Sequence, residues 1–215
     1  MGSRIIALAK QDKALRVSGA FDVGEDPEPL IRDCGCLIEF TTPQATVEHV
    51  MLCEKLKRPM VIGTTGLSDA DIAKIGQASK KIPVVYSPNM SIGVNLLFNL
   101  LEDAARVLDA QYKVRIKEAH HIHKKDAPSG TAKELARIIR DIKGLTEVPI
   151  ESIREGETVG DHTIMFEGPL DTIVLHHSAK TRDIFVRGAL EAAKFAAKKT
   201  RGLFTMRDVL KGSLS

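Results

Sequence analysis

The sequence predicts an α/β protein in two parts: a parallel sheet with helices on its faces, followed by a smaller α+β domain. Three observations carry this reading. Short apolar runs alternate with amphipathic helical stretches as far as Leu108, each run ends in small polar residues that open a helix, and beyond Leu108 alternating strand-like segments take over. With 215 residues, 43% of them hydrophobic, the chain can bury one good core or two modest ones.

The first strand-like run is Cys36 to Phe40 (CLIEF). It leads into Thr41, Thr42 and Pro43, where Thr42 can cap and Pro43 can occupy the first turn of a helix carrying Val47, Val50 and Met51. Met60 to Ile62 leads into Gly63, Thr64, Thr65 and Gly66, then a helix whose Ser68 and Asp71 have capping-box spacing. Ile82 to Tyr86 leads into Ser87, Pro88, Asn89, Met90 and Ser91, then a helix with Leu97, Leu100, Leu101, Ala104 and Leu108 on one face. Ligands collect at such strand ends, where backbone N–H groups and helix dipoles face one crevice. Tyr112 to Lys117, Thr163 to Phe166 and Thr172 to His177 read as strands of the second domain, with a helix from about Thr131 to Ile142. A last helix, Ile184 to Lys198, and the tail GLFTMRDVL are expected to pack back on the first domain.

Composition removes several classes of function. Lys and Arg total 31 against 28 for Asp and Glu, a net charge of +3, and only 4% of residues are aromatic, which argues against nucleic acid as a partner. No apolar run is long enough to span a membrane, and the N-terminus has no signal-peptide pattern. Cys34, Cys36 and Cys53 are odd in number, lack CxxC spacing and lie in apolar segments, which suits reduced core thiols and a cytoplasmic location.

The chemistry concentrates in Glu118 to Ala132 (EAHHIHKKDAPSGTA). Alternation puts Val114, Ile116, Glu118 and His120 on one strand face and Arg115, Lys117, Ala119 and His121 on the other. Ser129, Gly130 and Thr131 precede a helix with Leu135, Ile138, Ile139 and Ile142 at helical spacing, so free N–H groups, two hydroxyls and the dipole suit a carboxylate. Lys124 adds a positive charge, and a histidine titrating near neutrality beside an anion pocket suits proton transfer on a carboxylate-bearing small molecule. Other readings stand beside this one: Ser-Gly-Thr as a plain cap, the charged loop as a solvated face, and His120, His121 and His123 as metal ligands completed by Asp126 or by His176 and His177. No recognised metal-site spacing is present, so no metal is expected.

The pattern EAHHxxKxDxPSGTA, with FTTP at Phe40 to Pro43 and GTTG at Gly63 to Gly66, resembles the 4-hydroxy-tetrahydrodipicolinate reductases. SPNMSIGVN (Ser87 to Asn95), GDHT (Gly160 to Thr163), SAKTRDIF (Ser178 to Phe185) and GLFTMRDVL (Gly202 to Leu210) follow in the family's order. The resemblance implies a Rossmann-like cofactor domain over residues 1–91 with 184–215, and a substrate and oligomerisation domain over 92–183. It makes His120 the main proton donor and acceptor, Lys124 a second proton donor, and His121, Ser129, Gly130 and Thr131 the holders of a dicarboxylate substrate. On the cofactor side it implies Met1, Gly2, Asp22, Gly63, Thr64, Thr65, Ser87, Pro88, Asn89, Met90, Arg182 and Phe185. It further implies NAD(P)H-dependent reduction with loss of water, in lysine and diaminopimelate biosynthesis, by a homotetramer. Asp22 ends the run from Val17 and matches the acidic residue that binds the adenosine ribose hydroxyls. Val23 follows it where many relatives carry an arginine, so NADH is expected to be preferred over NADPH.

The chain departs from the family at its start. Met1-Gly2-Ser3-Arg4 matches the last glycine of the family's GxxGxxG fingerprint, so the first strand and the earlier glycines are expected to be missing from this sequence. The stretches Val23 to Leu30 and Leu145 to Glu155 also look short. The reading adopted is a chain incomplete relative to the functional enzyme; the alternatives are a homologue that keeps the dicarboxylate pocket without hydride transfer, and a metal hydrolase built on the histidine cluster.

Overall fold

The computed structural model describes residues 1–212. Along the chain the elements are α1 (Gly2–Ala9), α2 (Glu28–Asp33), β1 (Leu37–Glu39), α3 (Pro43–Leu56), β2 (Met60–Ile62), α4 (Asp69–Ala78), β3 (Pro83–Tyr86) and α5 (Ile92–Val107). Then follow β4 (Lys113–His120), α6 (Gly130–Lys143), β5 (Ile150–Arg154), β6 (Asp161–Glu167), β7 (Thr172–Ser178), α7 (Asp183–Ala196), β8 (Gly202–Phe204) and α8 (Met206–Gly212). The chain divides into two compact units, Met1–Ile92 with the segment from Phe185 onward, and Gly93–Ile184.

The first unit is built on a parallel sheet of order β1-β2-β3-β8. Strands covered on both faces must be apolar throughout, and β2 is fully buried along its length. Met60, Ile62 and Val84 point to one side, against Val50 and Cys53 of α3 and Ile75 of α4. Val61 and Val85 point to the other, against Ala189 and Ala192 of α7 and Met206 of α8. Thr42 caps α3 by accepting from the Ala45 N–H, and Ser68 and Asp71 close a reciprocal capping box on α4. The chain from Gly202 onward adds β8 beside β3, so the tail completes this sheet. Gly188 of α7 lies so close to the Met90 carbonyl that a Cβ would stand 1.6 Å from its oxygen. A side chain there would push α7 off the loop after β3.

The second unit holds a mixed sheet of order β5-β4-β6-β7, parallel between β4 and β5 and antiparallel elsewhere. One face carries Val114, Ile116, Ile164 and Phe166, which pack on Leu97 and Leu101 of α5 and Leu135, Ile138 and Ile139 of α6. The opposite face displays Lys113, Arg115, Lys117 and Val174, with Val174 49% exposed. Ser129 caps α6 and Gly144 ends it in the left-handed conformation (φ 67°).

Some sequence expectations need correction. Leu100 is 46% and Met51 60% exposed, because the buried stripes run through Leu97, Leu101 and Ala105 in α5 and through Val47, Val50 and Cys53 in α3. The stretch Leu145 to Glu155, read only as a shortened connection, contains β5; this strand alternates weakly because both Glu151 and Ser152 are exposed. The run from Val17 to Asp22, not read as a strand from sequence, lies in no helix or strand. Val17 to Phe21 instead line a cavity of about 640 Å³ together with Ile5 and Ile6 of α1 and Leu37 to Glu39.

Candidate active site

The inward face of β4 ends in two functional groups, because a two-residue period sends Glu118 and His120 to the same side as Val114 and Ile116. Glu118 is wholly buried and His120 8% exposed. His120 Nδ1 is hydrogen-bonded to Glu118 Oε2. The other carboxylate oxygen accepts from Arg154 Nη2 on β5 at 2.8 Å and from the Ser129 N–H at 3.3 Å. Burial works to raise the Glu118 pKa, but hydrogen bonds from Arg154, Ser152 and His120 outweigh it and hold the carboxyl below its usual range. Burial pushes the His120 pKa down; Glu118 opposes this, and the charges of Lys124 and Arg154 add to it.

Arg154 also donates from Nη2 to the Asp126 carbonyl at 2.6 Å, and so fastens the 121–129 loop to Glu118. Within that loop Lys124 Nζ donates to Asp126 Oδ1 at 2.8 Å, and this bond is the main cause of the lowered Asp126 pKa. His121 is half-buried, whereas His123 is exposed and 3.9 Å from Glu157. At the start of α6 the Ser129 hydroxyl accepts from the Ala132 N–H and meets His162 Nε2 at 3.1 Å. Both polar groups of Ser129 are therefore committed inside the protein, while Gly130 is exposed and Thr131 half-buried on the first turn. Among the residues named from sequence, the structure thus gathers His120, Lys124, Ser129, Gly130 and Thr131 around one strand end and one helix start.

Sequence reasoning missed Arg154, His162 and Gly160 as parts of this site. His162 sits across from Glu118 in the β4–β6 register, and its ring meets that of His120 edge-on at 5.2 Å. Burial first, then the neighbouring His120, brings its pKa down to about 4. A Cβ at Gly160 would stand 2.9 Å from His120 Nε2, so this glycine leaves that nitrogen room. His162 and Gly160 fall in the GDHT motif, which signalled them without showing their task.

Ligand atoms of Glu118, His120 and His162 lie within 4.8 Å of one another, as three donors to a metal would. The cluster fits a cation poorly, because Arg154 already places its charge on one oxygen of Glu118 and His120 Nδ1 is already bonded to the other. The trio also differs from the set His120, His121, His123 considered from sequence.

In the first unit the carboxyl ends of β1, β2 and β3 lie together in parallel register. The Gly63 N–H donates to the Glu39 carbonyl, and a Cβ at Gly63 would stand 2.3 Å from the Phe40 ring, so this turn closes against Phe40 only with glycine. The buried Thr64 hydroxyl meets that of Thr46 at 2.8 Å, whereas Thr65 is exposed and Gly66 has φ 79°. Ser87 is buried and its hydroxyl donates to the Asn89 carbonyl at 2.7 Å; Pro88 is exposed, Asn89 half-buried and Met90 buried. Backbone turns with glycine at the crowded points, above parallel strand ends, fit a dinucleotide. Met1 and Gly2 are exposed at the start of α1, Asp22 is exposed and accepts from the Val23 N–H at 2.8 Å, and Phe185 is half-buried on α7. Arg182 is exposed and falls in the second unit.

Two family sequence models match consecutive parts of the chain: "dihydrodipicolinate reductase, N-terminus" over residues 1–90 and "dihydrodipicolinate reductase, C-terminus" over residues 93–210. A 4-hydroxy-tetrahydrodipicolinate reductase of Aquifex aeolicus is 42% identical over 250 residues, covering 98% of this chain and 94% of that protein. Its counterpart from Aromatoleum aromaticum is 41% identical over 207 residues, covering 87% of this chain and 75% of that protein. The fold is shared with a dipicolinate-bound dihydrodipicolinate reductase from Paenisporosarcina sp. TG-14, with TM-score 0.81, 24% identity, and coverage of 95% of this chain and 92% of that one. With both parts matched in order and relatives this similar over most of its length, the chain belongs to the dihydrodipicolinate reductase family.

Proposed function

We propose that the chain reduces 4-hydroxy-tetrahydrodipicolinate to tetrahydrodipicolinate with loss of water, using NAD(P)H, as a step of lysine and diaminopimelate biosynthesis in the cytoplasm. The observation that carries this reading is the buried histidine His120, braced by a carboxylate and set beside Lys124 and the start of α6. In this reading the second unit binds the dicarboxylate. Gly130 and Thr131 present the helix N-terminus to a substrate carboxylate, His121 and Lys124 add polar contacts, and Ser129 holds the turn in place. Once protonated, His120 gives its Nε2 proton to the ring carbon and returns to the neutral ring, and Lys124 donates a second proton on leaving Asp126. Such positioned proton transfer contributes typically about 10²- to 10⁴-fold in rate.

The first unit serves as the dinucleotide domain in this reading. When bound, the nicotinamide supplies the hydride. Met1 and Gly2 offer the N–H groups at the start of α1 to its phosphates, Gly63, Thr64 and Thr65 border the nicotinamide ribose, and Ser87 to Met90 border the ring. Arg182 and Phe185 approach the cofactor from the connection into α7. Asp22 accepts from the adenosine ribose hydroxyls, and with Val23 beside it no guanidinium meets an extra phosphate, which favours NADH. The exposed sheet face bearing Arg115, Lys117 and Val174 is the surface through which a homotetramer would assemble. Among the described residues no helix is long and apolar enough to cross a membrane.

The test is oxidation of NADH and of NADPH with freshly generated substrate, comparing the unaltered chain with His120→Ala and Lys124→Ala. The expected result is turnover favouring NADH that falls at least about 100-fold in either variant. A folded, unaltered chain without turnover contradicts the reading, and equal efficiency with NADPH contradicts the cofactor preference.

A further inference from the structure

The two ring nitrogens of His120 have unlike surroundings. Nδ1 is tied to Glu118 Oε2, whereas Nε2 has no hydrogen-bond partner among the described residues and faces Gly160, where there is no side chain. Glu118 is itself held. Its second oxygen accepts from Arg154 at 2.8 Å and from the Ser129 N–H at 3.3 Å, and a hydrogen bond from Ser152 adds to these. A carboxylate gripped by so many donors stays ionised and can only accept, so the hydrogen between Glu118 and His120 belongs to the imidazole.

We propose that Glu118 is a positioning residue that, anchored by Arg154, fixes neutral His120 as the Nδ1–H tautomer and reserves Nε2 for proton exchange with the reactant. Glu118 reaches no reactant itself; it acts through His120, as Arg154 acts through Glu118. The other charged or titratable groups facing His120 are Lys124 and His162, and His162 meets it only edge-on. The catalytic part of the proposal rests on the reductase reading above, whereas the tautomer is a property of the folded chain alone.

The geometry dictates what an amide would do at position 118. In Glu118→Gln the site of Oε1 still faces two donors, Arg154 Nη2 and the Ser129 N–H, so the amide oxygen takes that place. The amide NH₂ then points at His120 Nδ1, which must become an acceptor, and the ring hydrogen moves to Nε2. A neutral histidine protonated at Nε2 has its one remaining lone pair, on Nδ1, tied to the amide N–H and no carboxylate beside it, so it cannot readily become the imidazolium that gives an Nε2 proton to the reactant. A wrong tautomer in otherwise intact geometry costs about 10⁴-fold in a serine protease. The expectation here is a fall in kcat of about 10²- to 10⁴-fold, with KM changed by less than about threefold because Glu118 touches no substrate.

The experiment is ¹⁵N-detected histidine NMR on the unaltered protein above the His120 pKa, then on Glu118→Gln and Glu118→Asp, with turnover measured on the same samples. The proposal predicts Nδ1–H in the unaltered chain, Nε2–H in Glu118→Gln, and recovery of the Nδ1–H form with part of the lost kcat in Glu118→Asp. An Nε2–H signature in the unaltered chain overturns it without recourse to any variant, so a failure of Glu118→Gln to fold leaves the test decisive. A fall in kcat with the tautomer unchanged also overturns it, since Glu118 would then act by holding the fold. Absence of turnover by the unaltered chain sinks the reductase reading, while the tautomer in that sample still decides the role of Glu118.

Discussion

Replacing His162 by glutamine should remove a pH dependence that His162 imposes on folding. The ring is 4% exposed, its Nδ1 is buried with no hydrogen-bond partner, and burial together with the neighbouring His120 brings its pKa down to about 4. In the unfolded chain a histidine titrates near about 6.5. Between those values the unfolded state binds a proton that the native state refuses, so stability rises with pH and is lost on acidification from about 6.5 towards about 4. A gap of about 2.5 pKa units at about 1.4 kcal/mol each gives about 3.5 kcal/mol, most of it lost by about pH 4.5. The assay is urea denaturation of both proteins near pH 7 and near pH 4.5. Glu118 and Asp126, whose folded pKa values are lowered, lose their own contributions as pH falls through those values, but they do so in both proteins and cancel in the difference. The stability lost on acidification should be smaller in His162→Gln by about 2 to 3 kcal/mol. Equal losses in the two proteins would refute the reasoning and show that His162 takes up its proton in the folded state.

Other perturbations follow from the same geometry. In Gly160→Ala the new Cβ would meet His120 Nε2 at 2.9 Å, so kcat should fall more than about tenfold while the melting temperature drops only a few degrees; unchanged kcat would mean that Nε2 is not the working atom. Phe166→Ala empties a fully buried site against α5 and α6 and should cost about 3 to 5 kcal/mol by urea denaturation. A loss under about 1 kcal/mol would show that this core relaxes around the gap. Val23→Arg, at a residue 100% exposed beside Asp22, should shift the kcat/KM ratio towards NADPH by more than about tenfold. An unmoved ratio would remove Asp22 and Val23 from the cofactor site.

The elements best read from sequence are those with strong local chemistry. Thr42-Pro43, the Ser68 and Asp71 box, and Ser129 before Leu135 each mark a helix start by capping, and the structure has helices at all three. Alternation in β4 puts Glu118 and His120 on one face, as the structure has them. What escaped needed long-range pairing. Arg154 is unremarkable within IESIRE and gains meaning only because β5 lies parallel to β4, which brings its guanidinium to Glu118 across 36 positions of sequence. His162 likewise matters only through the antiparallel register that sets it opposite Glu118.

The central claim is that this chain delivers a hydride from a nicotinamide cofactor to the dehydrated ring of a dicarboxylate while His120 supplies the proton. It is tested most directly by incubating the folded chain with freshly generated 4-hydroxy-tetrahydrodipicolinate and NADH stereospecifically deuterated at the nicotinamide C4, then analysing the product by mass spectrometry. With one C4 face labelled, tetrahydrodipicolinate should appear carrying one deuterium, and His120→Ala should form it at least about 100-fold more slowly. Absence of reduced product, or reduced product without label from either face, would contradict the account.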